Sequence, residues 1–121
     1  MKYMIMMFGG LGASLDNRTP EWITNMHEFM MKVDGELREA GELVASQGLA
    51  DPSQAKTVRF QNGVSVPTDG PFAEVKESRA GYWIVDASED RAIEIASRVV
   101  AFIEFPMEVR QIMHGEDGTP D

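Results

Sequence analysis

Apolar residues recur at helical spacing twice in this chain, and each helical stretch sits between short runs of strand-forming residues. That alternation restricts the fold to an α+β domain built on one sheet. Between Thr19 and Gly41, the residues Trp22, Met26, Phe29, Met30, Val33, Leu37 and Ala40 fall on one helical face. Thr19 suits the N-cap, Pro20 the first helical position and Glu21 the positive end of the helix dipole, while Gly41 ends the segment. A second helix is expected after Ser88, with Glu89 and Asp90 in its first turn and Pro106 as its stop. Its apolar face is read as Ala92, Ile93, Ala96, Val99, Val100 and Ile103.

The strand-like runs are 2–8, 43–47, 57–60, 64–66, 81–86 and 107–113. Asn62-Gly63 between two of them predicts a β-hairpin, since both residues tolerate positive φ. The order strand, helix, strand, hairpin, strand, helix, strand predicts a ferredoxin-like antiparallel sheet with two helices on one face and an extra β-hairpin. One domain over residues 1–113 is expected, with 114–121 as a flexible tail.

A sheet covered on one face should alternate apolar and polar residues along each strand. The first strand does not: Tyr3, Ile5 and Met7 point one way, Met4, Met6 and Phe8 the other. Tyr82 and Ile84 oppose Trp83 and Val85 in the same manner. A second copy of the sheet is the economical cover, which predicts a homodimer.

Composition narrows the chemistry. With no cysteine, the chain has no disulfide, no thiolate nucleophile and no cysteine-ligated metal. Eleven Lys and Arg are scattered among twenty acids, for a net charge of −9, a poor match for nucleic acid or an anionic membrane surface. The apolar opening, residues 1–8, is too short for a signal peptide or a membrane helix, so a cytoplasmic protein is expected. Gly9-Gly10-Leu11-Gly12 lacks the Lys-Ser/Thr of a phosphate-binding loop, and no cofactor is implied. The nine methionines read as core filling rather than as a ligand cavity.

Candidate polar residues cluster in two places. At about 100° per residue, His27, Met31, Asp34 and Arg38 form one stripe flanking the apolar face of the first helix. His27 beside Asp34 is a candidate general base with a carboxylate to fix its tautomer, and a solvated helix edge is the alternative. The loop Asp69-Gly70-Pro71-Phe72-Ala73-Glu74-Val75-Lys76-Glu77 is the second place. There Asp69, Gly70 and Pro71 make a stiff corner, Phe72 is expected to plug inward, and Glu74 and Lys76 to form a polar rim. Asp69, Phe72, Glu74 and Lys76 are therefore candidate ligand contacts. Metal binding by Asp69, Glu74 and Glu77 is weaker than a turn-forming role, and no metal site is expected.

This nine-residue loop, followed by Gly81-Tyr82-Trp83, resembles the DGPF branch of the YCII-related family. The opening Met1-Lys2-Tyr3-Met4, the stretch Leu37-Arg38-Glu39-Ala40-Gly41 leading into Gly48-Leu49, and Glu108-Val109-Arg110 extend the resemblance to about residue 112. The resemblance implies a dimeric α+β barrel. It also implies small enzymes using a His–Asp pair, with the family histidine falling at Met30 and His27 about one turn earlier. Three functions are therefore expected of such a chain. The first is binding of a small organic molecule in the barrel cleft. The second is cofactor-independent acid–base catalysis of lyase or isomerase type. The third is a regulatory partnership with extracytoplasmic-function sigma factors.

Overall fold

The computed structural model describes residues 1–8, 17–50, 54–70, 79–114 and 119–120. Its elements in chain order are β1 (Lys2–Phe8), α1 (Pro20–Glu39), β2 (Leu43–Gly48), β3 (Lys56–Gln61), β4 (Val64–Asp69), β5 (Arg79–Asp86), α2 (Glu89–Ile103) and β6 (Met107–Gln111). Two short strands, β7 (Met113–His114) and β8 (Thr119–Pro120), close the chain. The main sheet has four antiparallel strands in the order β2-β5-β1-β6, which is the ferredoxin-like order. Strands β3 and β4 form a separate two-stranded ladder, the expected hairpin.

Local chemistry explains the helix ends. The Thr19 hydroxyl accepts the Trp22 N–H at 3.1 Å, and the Ser88 hydroxyl accepts the Arg91 N–H at 3.1 Å. At the end of α1, the Gly41 N–H donates to the Arg38 carbonyl (3.1 Å) and the Glu42 N–H to the Leu37 carbonyl (2.9 Å). These two bonds make a Schellman close, which requires the positive φ of Gly41, 72°. The end of α2 is made differently: Glu104, with φ 54°, takes the left-handed position two residues ahead of Pro106. At the hairpin tip Asn62 and Gly63 have φ of 52° and 81°, the signs a two-residue type I′ turn needs.

Both helices cover one face of the sheet. Tyr3, Ile5, Trp83 and Val85 pack with Met26, Val33 and Leu37 of α1 and with Ala92, Ile95, Ala96, Val99 and Ile103 of α2. The expected buried face of α2 needs one correction. Ile95 is buried and Ile93 is 45% exposed, because the buried stripe runs through 92, 95, 96, 99 and 103 and leaves Ile93 at its margin. Phe102 fills the outer seam between the helices, stacked on Phe29 at 4.6 Å and tilted against Trp22 at 5.7 Å.

Register defines the other face of the sheet. Met4 stands opposite Ile84 and Arg110, and Met6 opposite Tyr82 and Glu108. The first strand is apolar on both sides because its odd residues enter the core and its even residues enter this second face. The final residues, expected as a tail, include the β7–β8 ladder, which pairs Met113 with Pro120 and His114 with Thr119.

Candidate functional site

A groove of about 360 Å³ runs between the flank of α1 and the edge of the main sheet. Its walls are Met30, Met31, Asp34 and Arg38 of α1, Ser46 of β2 and Trp83 of β5. These α1 residues lie just off the stripe of Met26, Val33 and Leu37 that α1 buries in the core. Gly35 leaves helix backbone bare in the groove, and a Cβ there would meet nothing within 4 Å.

The sheet side depends on a bulge. Leu43 pairs with Val85, but the register then slips so that Ala45 faces Ile84 and Ser46 faces Trp83. Without the extra residue, Ala45 would stand beside Trp83 and the groove would lose its hydroxyl. This β-bulge has no local sequence signal, so Ser46 was not legible as a groove residue.

Trp83 is a core residue at 6% exposure, and a buried indole N–H needs an acceptor. Asp34 supplies it: Trp83 Nε1–H donates to Asp34 Oδ1 at 3.0 Å. The other carboxylate oxygen, Oδ2, pairs with Arg38 Nη2 at 3.1 Å. The Asp34 side chain is 23% exposed and that of Arg38 is 70% exposed, so the pair runs from the core edge outward to solvent. A carboxylate fixed from both sides, between two methionines and an indole, gives the groove a polar anchor in an apolar surround. That is the usual make-up of a small-molecule site.

The residues anticipated from sequence distribute unevenly around this groove. Asp34, Met31 and Arg38 of the anticipated stripe line it. His27 is exposed on α1, one turn before Met31 and about 10 Å along the axis from Asp34 at ~1.5 Å per residue. Asp69 closes the base of the β3–β4 hairpin, where it forms an ion pair with Lys56. The adjoining corner is pinned by the Gly70 N–H donating to the Ala55 carbonyl (2.8 Å) and the Thr57 hydroxyl donating to the Gly70 carbonyl (2.7 Å). Phe72, Glu74 and Lys76 lie outside the described residues. Trp83, which sequence reading placed only as a strand residue, proves to hold the anchor.

A second groove, about 470 Å³, lies between α2 and β6. Among the described residues it is lined by Ile93, Ala96, Val100, Met107 and Val109, with Ser97 its one polar side chain. It has no charged group to orient a ligand. Shifted pKa values lie elsewhere again, in ion pairs that tie α2 to α1 and to Glu42 just after it. Arg98 donates to Glu36 and holds that carboxyl below its ordinary range, and Arg91, clasped by Glu42 and Glu94, is raised. Among the described residues, no helix is long and apolar enough to cross a membrane.

An uncharacterised protein of Rhizobium meliloti (strain 1021) is 32% identical over 96 residues, which covers 75% of this chain and 77% of that protein. The family model of the YCII-related domain matches residues 1–113, so the chain belongs to the YCII-related family.

Proposed function

We propose that this YCII-related protein binds a small organic molecule in the Asp34–Trp83 groove, as a homodimer whose second copy covers the open face of the sheet. The observation that carries the binding reading is the two-sided fixing of Asp34 by Trp83 (3.0 Å) and Arg38 (3.1 Å) inside an otherwise apolar wall. A surface carboxylate ordered this way already has the entropy of its rotamer removed before a ligand arrives. Binding is favoured over acid–base catalysis because His27 stands about two helical turns from the carboxylate, beyond direct hydrogen-bond reach.

Gly35→Leu tests the groove. The new side chain has open space, improves helix propensity by up to ~1 kcal/mol, and fills the site. Ligand-observed NMR with a library of small organic acids, amines and amides should give hits on the wild type that vanish in Gly35→Leu. Hits that persist unchanged in the filled variant would place the ligand elsewhere.

Support for the dimer comes from the second face of the sheet, where the half-buried Met4, Tyr82 and Ile84 surround a buried Met6, beside Glu108 and Arg110 on β6. Glu108 and Arg110 pair with each other on β6, which neutralises that edge of the face toward a second copy. Sedimentation at micromolar concentration should show a species twice the 13.4 kDa chain mass, and a monomer alone would remove this part of the proposal.

A further inference from the structure

We infer that the groove selects small planar organic anions, with the ligand carboxylate taken by the guanidinium of Arg38 and its ring laid against Met30, Met31 and the groove-lining edge of Trp83. This inference rests on the groove being the binding site and adds the charge and shape of the ligand.

The argument begins with what each polar group still has to offer. Asp34 has both oxygens engaged, Oδ1 by the Trp83 indole and Oδ2 by Arg38. A cationic ligand at Asp34 would sit beside the like charge of Arg38, which already neutralises the carboxylate. Arg38 is differently placed. Its guanidinium carries five N–H donors in a planar fork, and its contact with Asp34 runs through Nη2. The side chain is 70% exposed, so much of that fork faces the groove mouth and solvent. Among the described residues an incoming carboxylate need displace no contact of Arg38, and it gains charge-assisted hydrogen bonds, bidentate where the geometry allows.

Asp34 has a second effect in this arrangement. Because Trp83 holds it from the core side, Asp34 acts as a fixed post that keeps an otherwise mobile arginine over the groove. The chain Trp83–Asp34–Arg38 thus orders a cation at the surface without burying it. Shape points the same way. The bare backbone at Gly35 leaves a flat floor, and two flexible thioether side chains adapt to a thin ring. The Ser46 hydroxyl, opposite Trp83 through the β-bulge, is a neutral donor or acceptor for a ring substituent. The anionic protein as a whole, at −9, does not attract such ligands from a distance, so recognition falls to the short-range contacts of Arg38.

Three probes of the same shape and different charge test the inference: benzoate, benzamide and benzylamine, the last cationic at neutral pH. The reporter is the indole N–H resonance of Trp83, separated from that of Trp22 by the Trp22→Phe variant. Benzoate should shift it with the highest affinity of the three. Arg38→Gln should weaken benzoate by ~10-fold or more and leave benzamide unchanged, with Arg38→Lys intermediate because it keeps charge but loses the fork. Equal binding of benzoate and benzamide, or an Arg38→Gln variant that binds benzoate as the wild type does, overturns the anion assignment while the groove itself stands. Preferred binding of benzylamine, abolished by Asp34→Asn, overturns it in favour of a cation. If none of the three moves the Trp83 resonance, both the anion assignment and the groove reading fail.

Discussion

Trp83 on β5 and Asp34 on α1 are 49 residues apart in sequence and joined by an indole-to-carboxylate hydrogen bond of 3.0 Å. This bond fastens the flank of α1 to the sheet at the point where the groove opens. It ties one of the most buried aromatic side chains to a partly exposed charge, so packing and the candidate site share a residue.

Trp83→Phe should keep the ring packing and remove the donor. The expected cost is about 1–2 kcal/mol, from a lost hydrogen bond to a charged acceptor and imperfect filling of the indole space. A urea midpoint that falls accordingly, with circular dichroism unchanged, is the outcome expected. An unaltered midpoint would show that Asp34 gains nothing from the indole.

Gly81→Ala should destabilise through the backbone rather than the core. A Cβ at this position would stand 3.0 Å from the Gln47 carbonyl oxygen and 3.4 Å from the Gly48 Cα, both backbone atoms of β2 that cannot swing away. Forcing β2 from β5 should cost about 1–3 kcal/mol, in the range for overpacking. The groove should suffer too, because Ser46 reaches Trp83 through the same ladder. Thermal denaturation measures the first effect and the Trp83 indole resonance the second.

Thr57→Val separates the hairpin base from the rest of the fold. The Thr57 side chain is buried, and its hydroxyl donates to the Gly70 carbonyl at 2.7 Å, at the entrance to the loop beginning Asp69-Gly70. Removing the donor while keeping the volume should cost roughly 1 kcal/mol. Amide hydrogen exchange should quicken at Gly70, whose N–H bonds the Ala55 carbonyl, and stay unchanged in α1.

Acid sensitivity should come in part from Glu36. The hydrogen bond from Arg98, with the added charges of Arg98, Lys32 and Arg91, holds this carboxyl below its ordinary value despite an opposing desolvation effect. A depressed folded value means the group favours folding fully above the unfolded glutamate pKa of about 4.3 and loses that contribution as pH falls through the lowered folded value. Arg98→Gln should return Glu36 toward ordinary titration by NMR. It should also flatten the dependence of stability on pH in the acid range below about 5.

Much of this architecture is legible in local sequence. The N-caps at Thr19 and Ser88, the Gly41 close and the Asn62-Gly63 turn are each decided within about six residues, and each appears as read. The four-stranded sheet with two helices on one face follows from the order of those elements. Strand limits were less clear: β4 continues to Asp69, three residues past the apolar run, because ladder bonds and the Thr68–Thr57 contact at 3.0 Å hold polar residues in strand geometry. Ile93 was misplaced because a helix stripe read from hydrophobicity alone does not show where its centre lies.

The site divides along the same line. The periodicity of α1 determines that His27, Met31, Asp34 and Arg38 share a flank, since the helix fixes neighbours at three and four residues by its own hydrogen bonds. Periodicity leaves open which end of that flank meets the sheet. Tertiary structure decides it: the bulge in β2 sets Ser46 beside Trp83, and the buried indole, needing an acceptor, takes Asp34 rather than the exposed His27 as its neighbour. Local order is written residue by residue because its bonds close over short spans. The Asp34–Trp83 contact closes over 49 residues and exists only once burial has deprived Trp83 of water.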